Sequence, residues 1–79
     1  MAQRLDQRTA KQHVQRTGEV VWRGWEIWAT YDGQGRYTGA YRMAPARQRE
    51  HWSDYNHLDS LSAMLRYAWE HPLDDAPGA

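Results

Sequence analysis

The segment WEIWATYDGQGRYTGAYRM, residues 25–43, has the pattern of a β-hairpin. In residues 25–31 and again in residues 37–43, apolar and aromatic residues recur at every second position. This alternation is typical of strands that bury one face. Between them, Asp32 favours the first position of a type I turn, and Gly35 suits the left-handed residue that closes a three-residue loop. The sequence therefore predicts an antiparallel hairpin.

The turn also predicts which residues face each other across the two strands. The expected pairs on one face are Tyr31–Tyr37, Ala29–Gly39, Ile27–Tyr41 and Trp25–Met43. The expected pairs on the other face are Asp32–Arg36, Thr30–Thr38, Trp28–Ala40 and Glu26–Arg42. Apolar side chains face each other on the first face, and on the second face Asp32 and Glu26 each face an arginine. A register shifted by one residue would remove both the apolar pairs and the acid–arginine pairs.

The segments that flank the hairpin carry weaker signals. Residues 20–22 are expected to extend the first strand, with Arg23 and Gly24 as a bulge or a bend. Residues 51–57, HWSDYNH, are the candidate for a short third strand.

A C-terminal helix is predicted from a stripe of apolar residues at helical spacing, which comprises Leu61, Met64, Leu65 and Ala68. Asp59 or Ser60 can cap its N-terminus, since either side chain can accept a hydrogen bond from an exposed backbone N–H. Pro72 disfavours helical backbone at the residue before it, so the helix should end near Glu70.

The chain of 79 residues has room for one domain. We expect a flexible N-terminal arm over residues 1–18, a single domain over residues 19–72 and a disordered tail over residues 73–79. The expected fold class is α+β: an antiparallel β-hairpin or three-stranded sheet packed against one C-terminal helix.

Composition limits the classes of protein that the chain can belong to. Cysteine is absent, which excludes disulfides and thiolate metal sites and fits a bacterial or host-cell cytoplasm. Ile, Leu and Val number nine in all, so the five Trp and five Tyr must carry much of the core. No apolar stretch has the length of a membrane span or a signal peptide, and we expect no membrane association.

Catalytic and cofactor sites find little support in the residue pattern. His51, Asp54 and His57 could supply three metal ligands, but on a strand residues three apart point to opposite faces. Residues 33–35, GQG, lie between two strands and lack the strand-to-helix context of a phosphate-binding loop. We therefore expect no enzyme activity, no metal and no cofactor.

The expected contact surface is defined by six residues: Trp22, Arg23, Glu26, Trp28, Arg36 and Arg42. Trp and Arg are enriched in the hot spots of protein interfaces, which favours a protein partner. A nucleic-acid-binding face is the alternative, although the pI near 6.9 and Glu26 in the middle of the face count against it. Residues 1–49 carry a net charge of +5 (nine basic, four acidic) and residues 50–79 a net charge of −5 (one basic, six acidic), which would permit a homodimer.

The stretch WRGWEIWATYDGQGRYTGAYRM, followed by LDSLSAMLRYAWEH, resembles a pattern of small phage and mobile-element accessory proteins. In these proteins a hairpin opened by an aromatic-x-Gly-aromatic segment precedes a helix introduced by Ser or Thr. The chain is similar in size and plan to several phage-encoded anti-CRISPR proteins. The resemblance covers residues 20–71 and implies a stoichiometric inhibitor or adaptor that occupies a surface of a host protein complex. It assigns no role to an individual residue.

Overall fold

The computed structural model describes residues 6–73 and shows an α+β fold. A three-stranded antiparallel sheet has the strand order β1-β2-β3. In chain order the elements are α1 (Gln7–Thr17), β1 (Glu19–Trp22), β2 (Trp25–Tyr31), β3 (Tyr37–Pro45), a 3-10 helix (Arg49–Tyr55) and α2 (Leu61–Glu70). The predicted sheet and C-terminal helix are confirmed, and a second helix precedes them.

Helix α1 corrects the prediction of a flexible arm over residues 1–18, of which residues 1–5 lie outside the described part. The carboxylate of Asp6 accepts a hydrogen bond from the N–H of Thr9 at 2.7 Å and caps the helix N-terminus. Ala10 and Val14, one helical turn apart, are fully buried. Two apolar residues are too few to form a recognisable stripe, but against the sheet and α2 they are enough to anchor the helix.

The third strand of the sheet is β1, and the candidate strand over residues 51–57 is wrong. Arg23 and Gly24 form a two-residue turn that folds β1 back along β2, so that Trp22 faces Trp25. Both turn residues have positive φ, at 56° and 86°, as a type I′ turn requires. The strand prediction failed at residues 51–55 because they form most of the 3-10 helix, which follows β3.

The predicted hairpin register is confirmed at Tyr31–Tyr37 and is wrong further along the strands. A β-bulge shifts the pairing by two residues, so Ala29 faces Tyr41, Ile27 faces Met43, Trp25 faces Pro45, Trp28 faces Arg42 and Glu26 faces Ala44. Gly39 supplies the positive φ, 88°, in the bulged segment. A shift of two leaves every side chain on its predicted face, because strand side chains alternate with period two.

The core lies between the sheet and the two helices, which pack on the same face. Its largest fully buried side chains are Ile27, Met43, Leu65 and Val14. Trp25, on the face of the hairpin where apolar side chains were predicted to meet, is buried: its ring meets Tyr55 and Tyr67 edge to face, with centroids 4.9 and 5.4 Å away. Its indole N–H donates to the carbonyl of His71 at 2.8 Å, which ties β2 to the end of α2.

Two features close the ends of the sheet. At the hairpin end, the rings of Tyr31, Tyr37 and Tyr41 pack against one another with centroids 6.2 and 5.7 Å apart. At the outer edge of β1, the hydroxyl of Thr17 lies 2.8 Å from the carbonyl oxygen of Glu19 and faces the N–H of the same residue at 3.5 Å. The same hydroxyl lies 2.9 Å from the carbonyl oxygen of His13, so its proton is shared between helix α1 and the edge of β1, where it covers the Glu19 carbonyl.

Candidate functional site

The face of the sheet opposite the helices carries a row of alternating cations and indole rings. Trp28 on β2 lies directly across from Arg42 on β3. The guanidinium of Arg49 lies over the Trp28 ring, 4.6 Å from its centroid, and that of Arg42 lies over the Trp52 ring at 3.8 Å. Both distances are typical of cation–π contacts. We call these four residues, Arg49, Trp28, Arg42 and Trp52, the Arg/Trp row.

One end of the row is held by two carboxylates. Arg49 binds Glu19 at 2.9 Å and Glu26 at 2.7 Å, and Glu26 also accepts the backbone N–H of Arg47 at 3.1 Å. Burial opposes the charge on Glu26, but the hydrogen bonds from Arg49 and Arg47 outweigh it and hold the pKa of Glu26 below its ordinary value. The Glu26 side chain is only 15% exposed, so its role is to hold the loop after β3 onto the sheet.

The other end of the row carries a positive charge that no carboxylate neutralises within residues 6–73. Arg42 is exposed, and no Asp or Glu of the described residues lies within ion-pair distance of its guanidinium. Next to the row, Val21 is 64% exposed and adds an apolar side chain on the same face, across from Glu26. The face therefore combines indole rings, an exposed valine and an exposed arginine that has no carboxylate partner in residues 6–73.

The structure brings together only part of the predicted contact surface. Trp28, Glu26 and Arg42 share the open face, whereas Arg36 lies in the hairpin loop beyond β2. Trp22 is 5% exposed and stacks on Trp69 at 6.2 Å, so it belongs to the core and not to a contact surface.

Arg23 is also among the predicted contact residues, and in the structure its partly exposed side chain caps the end of helix α2. Its Nε donates to the carbonyl of Ala68 at 3.2 Å, and its Nη2 donates to that of Trp69 at 3.1 Å. The guanidinium also lies over the Trp69 ring, 4.6 Å from its centroid. The terminal carbonyls of a helix lack partners within it, so a cation at this position satisfies two of them.

The six predicted contact residues include neither Arg49 nor Trp52, because these side chains reach the sheet only through the 3-10 helix that follows β3. In a 3-10 helix, residues three apart lie on the same side, which puts both side chains over the sheet. A search for Arg and aromatic residues at this spacing after β3 would have found the pair. The predicted Glu26–Arg42 ion pair is absent, since Glu26 binds Arg49 and Arg42 lies on Trp52.

Within the described residues, no group of three or more His, Asp or Glu side chains could hold a metal ion. None of the helices in residues 6–73 is long and apolar enough to cross a membrane. No protein-family model, curated protein or solved structure matches the chain. The functional interpretation therefore depends on the Arg/Trp row and its surroundings.

Proposed function

We propose that this protein is a small, non-enzymatic protein-binding module that engages its partner through the Arg/Trp row. The observation that carries the proposal is the alternation of Arg49, Trp28, Arg42 and Trp52 on the sheet face opposite α1 and α2, part of which the 3-10 helix covers. Trp and Arg dominate the energetics of protein interfaces because they combine a large apolar area with polar or charged groups.

The row is arranged before a partner binds, which lowers the entropic cost of association. Each guanidinium lies against an indole ring, and Arg49 is further fixed by Glu19 and Glu26. Ordering a long side chain at an interface costs about 0.5–1.5 kcal/mol, and much of that cost has been met when these residues fold. Val21 and Arg42 are exposed on this face, and Trp28 is partly exposed.

The mode of action that fits the resemblance to phage accessory proteins is occupancy. A domain of this size, acting in a bacterial cytoplasm, would inhibit a host protein complex by covering one of its surfaces in a stoichiometric manner. The resemblance of residues 20–71 supports this part of the proposal, and the Arg/Trp row supports the contact surface.

Nucleic-acid binding is the second candidate, since single-stranded nucleic acids stack their bases on aromatic rings beside cations. The arrangement of Trp28 and Trp52 favours it. The two carboxylates on Arg49 oppose it, because Glu19 and Glu26 would repel phosphates at one end of the row.

Site-specific photo-crosslinking tests the proposal. A benzophenone amino acid replaces Val21 on the open face, and a matched control carries the same group at Arg66 on α2, whose side chain is 76% exposed. In a bacterial lysate we expect a discrete protein adduct from position 21 and none from position 66. Unlabelled wild-type protein should compete for the adduct, and Trp28→Ala should compete at least tenfold less well, as expected for a hot-spot loss of about 2 kcal/mol.

Two outcomes would contradict the proposal. Equal competition by Trp28→Ala, with its fold confirmed by circular dichroism, would remove the Arg/Trp row from the contact surface. Saturable binding to single-stranded DNA or RNA that weakens about a hundredfold between about 50 and 200 mM salt would move the assignment to the second candidate.

A further inference from the structure

A groove of about 460 Å³ follows the outer edge of β3. Strand β3 forms one side, and the segment after Trp52 forms the other. The residues that matter for its chemistry are Tyr41, Arg42, Trp52, Asn56, Leu58 and Asp59. It lies beside the Arg/Trp row and shares Arg42 and Trp52 with it.

The floor of the groove includes backbone groups that no other strand uses. Ala29 donates its N–H to the carbonyl of Gly18, which lies on the β1 side of β2, so the backbone groups of Ala29 do not point toward β3. Tyr41 faces Ala29 across the two strands, and in such a pair its own N–H and C=O point away from β2. No backbone partner for these two groups is found in residues 6–73. Toward the C-terminal end of β3, Pro45 has no N–H and its carbonyl accepts from Gln48, so the free edge stops before it.

The charges in the groove are separated along its length. Arg42 is the cation without a carboxylate, and Trp52 holds its guanidinium in place from one side. Asp59 lines the groove as well, where it would repel a second acid. An occupant that complements both charges carries an acidic side chain beside Arg42 and none beside Asp59.

We propose that this groove binds an extended segment of the protein partner, which adds to the edge of β3 as a fourth strand and pairs an Asp or Glu with Arg42. Strand addition of this kind gains affinity from main-chain hydrogen bonds and specificity from alternate side chains. This inference rests on the proposed function and names the chemistry of the partner. The backbone of Tyr41 supplies the pairing, and Arg42 selects the charge.

The test uses the full chain labelled with ¹⁵N and two acetylated, amidated peptides, TVEVT and TVKVT, which differ only in the central charge. TVEVT should shift the amide signals of Gly39 to Arg42 and the indole signal of Trp52, and it should slow hydrogen exchange at the Tyr41 amide. TVKVT should bind about tenfold more weakly or worse, since it places a cation beside Arg42. Arg42→Gln should lower the affinity for TVEVT about tenfold, as expected from a partly exposed charged hydrogen bond of about 1.5 kcal/mol. The matched variant Arg47→Gln should leave it unchanged, because the Arg47 side chain lies outside the groove.

Four outcomes would overturn the inference. They are equal binding of the two peptides, signal changes confined to other parts of the fold, no response to TVEVT at concentrations of about 1 mM, and protection of the Tyr41 amide that grows with protein concentration alone. The last would show that a second copy occupies the edge.

The cross-linked partner separates this inference from the proposed function. If binding of the partner depends on Trp28 but leaves hydrogen exchange at the Tyr41 amide unchanged, the groove is not the binding site and the Arg/Trp row remains the contact surface. A partner that protects Tyr41 without depending on Trp28 would refute the row as the contact surface.

Discussion

Replacing Arg23 with glycine should destabilise the protein by about 2–3 kcal/mol, although glycine is the residue that its backbone conformation favours. The φ of 56° costs a non-glycine residue about 1 kcal/mol, which the substitution recovers. The extra freedom of glycine in the unfolded chain costs about 0.5–1 kcal/mol, so these two backbone effects nearly cancel. What remains is the loss of the side chain.

The magnitude follows from the three contacts of the guanidinium at the end of α2. Its hydrogen bonds to the carbonyls of Ala68 and Trp69 are charged but partly exposed, and each contributes about 1 kcal/mol. Its position over the Trp69 ring adds about 0.5–1 kcal/mol. Removing all three leaves two carbonyls of the last helical turn to water.

Arg47 provides a matched control in the same chain. Its φ is 68°, and its guanidinium has no partner among residues 6–73, while its backbone N–H bond to Glu26 survives the change to glycine. Arg47→Gly should therefore change the free energy of unfolding by no more than about 0.5 kcal/mol. Urea unfolding followed by tryptophan fluorescence gives both values. A difference below about 0.5 kcal/mol between the two variants would refute the capping role of Arg23.

Three further predictions concern the core and the pH dependence of stability. Trp25→Ala should cost about 3–5 kcal/mol and unfold most of the protein at room temperature, which circular dichroism would detect; a folded variant would contradict its place in the core. The lowered pKa of Glu26 contributes to the free energy of unfolding above the ordinary carboxyl pKa, and this contribution is lost as the pH falls through the lowered value. Glu26→Gln should therefore make the free energy of unfolding, measured by urea titration, depend less on pH in the acid range. Burial, the main cause, and the hydrogen bond with Tyr37, the second, raise the pKa of Tyr41 to about 12. The stability contributed by the neutral phenol of Tyr41 should therefore be lost as the pH rises from about 10 toward that value. Tyr41→Phe should remove the late step from an ultraviolet titration of the phenols, and its persistence would assign that step to another tyrosine.

The sequence predicted the parts of the fold whose signals are local. The hairpin turn, the alternation in β2 and β3 and the capped stripe of α2 each lie within a short window and agree with the structure. The bulge has a marker in the sequence, since a glycine such as Gly39 inside a strand often marks one, but the turn and the alternation alone predict a regular register. Helix α1 was not predicted, because Ala10 and Val14 are its only buried residues and their burial depends on contacts with the sheet and α2.

In the candidate site, too, the residues with local signals could be assigned from the sequence and the others could not. Trp28 and Arg42 could be assigned to the open face from parity alone, and they remain there because the register shift is even. Arg49 and Trp52 could not, since their positions depend on how the 3-10 helix returns to the sheet after Pro45. The capping contacts of Arg23 could not be found from the sequence because its partners, the carbonyls of Ala68 and Trp69, lie 45 and 46 positions away.

The hydroxyl of Thr17 at the edge of β1 limits how copies of this protein could polymerise. A sheet with two open edges can add molecules at both sides and grow without end, which is the route to fibres. Here the Thr17 hydroxyl binds the Glu19 carbonyl and shortens the free edge of β1 to Val21, so contact between the β3 edges would join two molecules and leave only this short edge for a third. Any self-association of overexpressed protein through this edge should therefore end at pairs, and Thr17→Val should allow longer assemblies that sediment on centrifugation.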